Sequence, residues 1–386
     1  MEEKSLSPLQ NFTPVEKAKK GLRNPSMDLV RILAFTLVVS VHFFLQSEYY
    51  TIGLSGKRLF VMTVVRSFCI ICVPLFMILS GFLMKNKKLS GKYYSGIRKT
   101  ILTYFLASVA CYLFQCLHYN KPLGLWNFTE QMLSFKAAKY SWYIEMYIGL
   151  FLLIPFLNLI WNNIPEKKFK KILVLTMLFL TAAPQAVNIF DFNTSGWWAS
   201  PVTSSAYNSL IPDWWTGIYP VTYYFIGCYI REFGIKISKA LNITLIITAT
   251  VAYGAFCFYR STPEPFVKGK WQNYGALPIV IIAVLVFVFI ANLDLTSWPE
   301  WLKKLCNRIS DLCLGAYLLS YIFDKLLYEK LNEGIANIAE RFNYFIIIVP
   351  LCIILSLCLS FIISIVSKLI SSLYDKAEEL IRKCIK

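Results

Sequence analysis

SMDLVRILAFTLVVSVHFFLQ, residues 26–46, decides the class of fold. It is a nearly unbroken apolar run of about twenty residues, the length at which an α-helix crosses a hydrocarbon core. Three ionisable side chains interrupt it, Asp28 and Arg31 near its start and His42 near its end. Asp28 and Arg31, three apart, are spaced to form a helix-end ion pair. Arg31 and His42 are eleven apart, which at about 100° per residue returns to within about 20° of one face, with an axial separation of roughly 16 Å. That face carries a fixed cation toward one membrane surface and an imidazole toward the other. A lone buried His is commonly a packing residue. This one shares its face with an intramembrane Arg in a chain that has 2 His, which favours function.

Outward from this helix the pattern repeats. About ten spans are predicted, near 27–46, 60–84, 97–119, 141–162, 169–190, 218–233, 239–260, 272–293, 307–328 and 342–370. Composition agrees, with 57% hydrophobic and 16% charged residues and a mean hydropathy of +0.54 over 386 residues. Soluble domains carry roughly a quarter charged residues. The reading is an all-α polytopic transmembrane helical bundle of about ten helices. Lys and Arg resist translocation and collect in cytoplasmic loops. With the N-terminus inside, the inner segments hold 26 of the 39 Lys and Arg residues and the outer loops 10, so both termini are expected to be cytoplasmic. The net charge of +17 then reflects a basic face against anionic headgroups, and no nucleic-acid partner is implied. Residues 1–26 read as a cytosolic tail without a removable signal peptide, 27–370 as the membrane domain and 371–386 as a cytosolic amphipathic helix. Most of the 11 cysteines fall inside spans, and the Cys69 and Cys72 pair is assigned to packing.

Ionisable residues inside the other spans are the next candidates, because each is costly there. Arg66 in the second span needs a partner or an aqueous cavity. After it, VPLFMILSGFLM (73–84) combines a kinking proline with a Ser-Gly pair that permits close helix contact. Lys85, Lys87, Lys88 and Lys92 precede the third span, with Arg98 and Lys99 at its inner mouth; they either hold the phosphates of a nucleotide-like cofactor or anchor the cytoplasmic face. The fourth span opens on Tyr140, Ser141, Trp142 and Tyr143, an interfacial aromatic belt. Glu145, one turn deeper, is not explained by a belt. It is a candidate to pair with Arg66, to orient His42 or to accept a proton. The outer loop 191–217 lacks Lys and Arg but holds Trp197, Trp198, Asp213, Trp214 and Trp215, whose rings suit either sugar stacking or headgroup anchoring.

These stretches together resemble the acyltransferase-3 family of membrane-bound O-acyltransferases. DLVRILAFTLVVSVHF (28–43) is similar to the family's first-helix signature, with its Arg and His at the positions of Arg31 and His42. VPLFMILSGFLM resembles the second-helix signature, SWYIEMYIGLFLLIPFL (141–157) the Trp-led fourth helix, YPVTYYFIGCYI (219–230) a later segment and ISDLCLGAYLLSYIF (309–323) the penultimate helix. Two departures stand out: Arg98 and Lys99 replace a pair of arginines three apart, and Ser320 stands where a His is common.

The resemblance implies transfer of an acyl group, expected to be acetyl, from cytosolic acyl-CoA to a hydroxyl of an extracytoplasmic or lipid-linked glycan, in a multi-pass protein of the bacterial cytoplasmic membrane. Acetyl-CoA phosphates are then expected at Arg98, Lys99 and Arg31, with His42 as general base or transient acyl carrier. Arg66 is expected to stabilise the oxyanion or bind acceptor, and Glu145 to orient His42 or pair with Arg66. Trp142, Tyr143, Asp213, Trp214 and Trp215 are the expected acceptor contacts, and no metal is expected. A transporter or exporter of a small solute such as an amino acid is the alternative, because intramembrane charges serve it equally well.

Overall fold

The computed structural model describes residues 23–190 and 208–384, so the tail before Arg23 and the predicted Trp197 and Trp198 lie outside the described residues. The long helices, in chain order, are α1 Pro25–Gln46, α2 Gly56–Cys69, α3 Cys72–Met84, α4 Arg98–His118, α5 Trp142–Asn163, α6 Lys167–Thr181, α7 Tyr219–Phe233, α8 Lys239–Ser261, α9 Leu277–Ala291, α10 Glu300–Gly334 and α11 Phe345–Cys384. Each predicted span overlaps a helix or, for the second, the pair α2 and α3, although α6 stops at Thr181, short of the predicted end at 190. Among the described residues, seven helices are long and apolar enough to cross a membrane by themselves. The seven count α2 and α3 as one span, Gly56–Met84, and α9 with the turn before it, Lys270–Ala291. α6 and α7, of 15 residues each, stand outside the seven and rise roughly 22 Å against a core of about 30 Å. α10 falls outside the seven because its 35 residues carry many charges.

Local chemistry explains the helix limits that matter for the site. Asn24 caps α1 by accepting the Ser26 amide at 2.9 Å, and Pro25 occupies the first turn, where its missing N–H costs nothing. The predicted second span is broken at Ile70–Ile71. Pro74 cannot donate to the Ile70 carbonyl, and the Cys72 thiol sits 3.8 Å from that oxygen instead. Cys72 thereby has a local role beyond filling space.

α1 is the central helix, packed against α3, α10, α9, α2 and α11. α10 in turn packs on α11 and α4, while α7 bridges α3 and α6. The α3–α7 contact is backbone to backbone. A Cβ on Gly81 would collide with the Tyr224 carbonyl, and one on Gly227 with the Ile78 carbonyl and the Phe82 amide. No side-chain rotation relieves such a clash, so Gly227→Leu forces the helices apart. We expect a loss of stability of about 1–3 kcal/mol or more, measured as a lower Tm in detergent; an unchanged Tm would show that the helices are not in this register.

Arg23 and Arg31 of the α1 region line one cavity together with Lys368 of α11 and Arg308 of α10. The start of α1 and the later part of α11 thus lie at the same face of the bundle, hereafter the basic face.

Candidate functional site

His42 occupies the far end of α1 from the basic face. Its Nδ1 lies 3.2 Å from Oδ2 of Asp324, a fully buried carboxylate on α10, although the two are out of line for a hydrogen bond. Apo catalytic pairs are often loose in this way and tighten with substrate. The Tyr140 hydroxyl donates to the same Oδ2 at 2.7 Å, its ring lies on the His42 ring at 3.7 Å between centroids, and Gln46 Nε2 donates to the Tyr140 oxygen at 2.9 Å. Cys352 Sγ approaches the other oxygen, Oδ1, at 3.2 Å. Tyr317 donates to the backbone carbonyl of Tyr140 and fixes that residue. Asp324 therefore stands on the Nδ1 side of the imidazole, and Nε2 is the nitrogen on the opposite side of the ring. A buried carboxylate behind a His sets its tautomer and stabilises its cation.

The imidazole lines a cavity of about 210 Å³ that also reaches Arg31 and Thr100. Its walls are mostly apolar, from Val38, Phe76, Leu79 and Leu314, with Tyr143, Tyr147 and Trp142 from α5. The predicted common face of Arg31 and His42 is thus the wall of a real cavity. Arg31, Thr100 and Leu314 also line a larger cavity of about 770 Å³ at the basic face, together with Arg23, Lys99, Arg308 and Lys368. Arg31 donates to Ser310 Oγ at 2.6 Å and lies 3.5 Å from Asp28. Asp28 pairs more closely with Arg23, at 2.5 Å, so the expected Asp28–Arg31 pair is the weaker of two. Arg23 continues to Asp311 at 2.7 Å.

Other predicted residues are placed elsewhere. Glu145 is solvent- or lipid-exposed on α5, and it neither pairs with Arg66 nor reaches His42; Asp324 stands behind the imidazole instead. Glu145 lies about 200° round α5 from the cavity-lining Tyr143 and Tyr147, on the side of Trp142, which is itself partly exposed. Arg66 is buried but does not line the cavity. Its Nε donates to Tyr50 at 3.1 Å, its Nη1 to Gln272, and its guanidinium lies 4.6 Å from the Phe266 ring centroid. No carboxylate pairs with it among the described residues. Aromatic faces and an amide offset its burial, and in doing so tie α2 to the segment between α8 and α9.

Lys99 lines the basic cavity, whereas Arg98 lies over the Tyr374 ring at 5.7 Å and lines neither cavity. Trp142 lines the site and stacks on Tyr274 at 5.4 Å, and Tyr143 lies beside it. Trp214 is 94% exposed, Trp215 is exposed, and Asp213 pairs with Lys270 at 2.9 Å, all outside the cavity lining. Ser320 is buried and donates to the Tyr317 carbonyl. Asp324 lies inside the predicted ninth span, and the sequence analysis gives it no role. The available signal was the same one that marked Arg66, an ionisable residue inside an apolar helix.

Fold and site together define a polytopic helical membrane protein with a His–Asp pair at the end of a cavity that begins among cations. A family model described as an acyltransferase domain matches residues 24–365, and the chain belongs to this acyltransferase-3 family. It is a membrane acyltransferase. No curated protein and no solved structure matches the chain.

Proposed function

We propose that the protein moves an acyl group, acetyl being the expected one, from cytosolic acyl-CoA to a hydroxyl of an extracytoplasmic or lipid-linked glycan. The observation that carries this reading is a pair of cavities that share Arg31 as lining, one among the cations of the basic face and the other reaching His42, which has Asp324 beside it. In this reading the basic face is cytosolic, in the cytoplasmic membrane of a bacterium, in keeping with the distribution of Lys and Arg.

The donor's phosphates meet Lys99, Arg308, Lys368 and Arg31, and its extended arm follows the apolar wall toward His42. The Arg31–His42 separation of roughly 16 Å along α1 suits such an arm. His42 Nε2 removes the acceptor's hydroxyl proton, and the oxygen attacks the thioester carbonyl. The C–S bond breaks, the CoA thiolate takes the proton from the imidazolium, and ester and free CoA leave at opposite faces. Asp324 stabilises the transient imidazolium, with the Tyr140 hydroxyl on its Oδ2 and the Cys352 thiol on its Oδ1. Trp142 and Tyr143 at the His42 end offer rings for a sugar.

The test is transfer from labelled acetyl-CoA to envelope glycan in proteoliposomes, native protein against His42→Ala. Transfer should fall to background; transfer unaffected by the substitution, or solute uptake with no transfer, overturns the reading. On the donor side, Lys99→Ala and Arg308→Ala should each raise KM for acetyl-CoA roughly tenfold, the value of one charge-assisted contact, with kcat little changed.

A further inference from the structure

A second, polar cavity of about 300 Å³ lies at the His42 end of the bundle, between α4 and the segment that leads into α5. Lys121, Lys136 and Lys139 line it with Asn127 and Gln131, and Glu130 is its single carboxylate. None of the three ammonium groups has an ion-pair partner among the described residues; Lys121 lies 5.6 Å from the Tyr119 ring centroid. The walls are held in place. The Tyr112 hydroxyl donates to the Gly124 carbonyl at 3.0 Å and accepts the Gly124 amide at 3.1 Å, and Gln115 Nε2 donates to the Ala137 carbonyl at 2.9 Å. Gln131 Nε2 donates to Asn127 at 2.8 Å, while the Gln131 carbonyl accepts the Lys136 amide at 2.7 Å.

Beside this cavity runs an apolar shelf. The short helix Leu125–Leu133 leaves Leu125 and Trp126 more than four-fifths exposed, and Leu117, Leu123 and Leu133 are exposed around it. Such a helix sits at the level of lipid headgroups, tails below it and phosphates beside it. The cavity also adjoins the reacting centre, because Lys139 directly precedes Tyr140, whose ring lies on His42. On the face that the positive-inside asymmetry makes outer, three clustered lysines need a reason other than topology.

We propose that this cavity binds the phosphate of an outer-leaflet lipid, the carrier of the acceptor sugar, with the lipid chain along Leu117, Leu125 and Trp126. Held there, the carrier presents its sugar to His42 without releasing it from the membrane. The inference rests on the proposed acyl transfer for its purpose but not for its test.

The experiment measures binding of a labelled long-chain polyprenyl phosphate to the full-length protein in phosphatidylcholine nanodiscs. A membrane-surface lysine contributes about fivefold, so the triple variant Lys121→Gln, Lys136→Gln, Lys139→Gln should bind on the order of a hundredfold more weakly. Its acetyl-CoA binding and Tm should match the native protein. Inorganic phosphate at the same concentration should not compete, nor should phosphatidylglycerol. Equal binding by the triple variant overturns the site, and equal competition by phosphatidylglycerol reduces it to a headgroup anchor and overturns the carrier assignment. Lysine-dependent binding in a protein that transfers no acyl group supports the site and removes the proposed function alone. Transfer with lysine-independent binding does the reverse.

Discussion

Asp324→Asn lowers kcat on the order of a thousandfold while leaving KM for acyl-CoA and Tm near native. The amide has the carboxylate's shape, so the α10 packing survives, although an NH₂ in the place of Oδ2 turns the Tyr140 hydroxyl from donor to acceptor. Its NH₂, however, is a donor where the carboxylate accepts. Set 3.2 Å from His42 Nδ1, it holds the imidazole in the tautomer with the proton on Nε2. A protonated Nε2 cannot take the acceptor's proton. The buried anion that would stabilise the imidazolium is also gone, and the low dielectric of the site makes that loss large. The measurement is steady-state transfer in proteoliposomes with a melting curve on the same sample. Activity within about threefold of native would remove Asp324 from the mechanism, since a base that loses its counter-charge loses at least about tenfold for each 1.4 kcal/mol.

The second large effect is steric. Ser80→Trp should lower kcat/KM for acyl-CoA by at least about a hundredfold, because an indole in a cavity of about 210 Å³ closes the path between Arg31 and His42. Ser80 lines the cavity, and its hydroxyl donates to the Phe76 carbonyl of its own helix at 2.9 Å. Ser80→Ala is therefore the control, and it should be close to native. Binding of CoA at the basic face, retained by Ser80→Trp, would separate a blocked path from a misfolded bundle, as would the Tm of Ser80→Trp. If the Trp variant transfers normally, the arm does not travel through this cavity.

How legible these features were depended on their range. Spans were readable because each is a local run of apolar residues, and the break at Ile70–Ile71 was foreshadowed by Pro74. The alignment of Arg31 with His42 was readable because one helix's periodicity determines it. Glu145 was not, because its alternative partners lay on other helices, and sequence offers no measure of their rotation. Arg66 shows the same boundary. Its need for partners followed from its depth, yet Gln272 lies 206 residues away and becomes a neighbour only when the segment before α9 folds over α2. The tryptophans show the same limit, since residue type alone did not separate Trp142, which lines the cavity, from Trp214 and Trp215, which lie outside it.

The sequence by itself determined a helical membrane bundle, its basic asymmetry, and a cation and an imidazole on one wall. It did so because hydrophobic length and helical period are properties of neighbouring residues. Only the tertiary structure decided what stands behind that imidazole. Tyr140 and Asp324 are 184 residues apart, and they meet at His42 because α10 packs against α1 and Tyr317 of α10 fixes Tyr140. Helix packing sets such contacts through the mutual rotation and depth of the helices, which no single helix encodes.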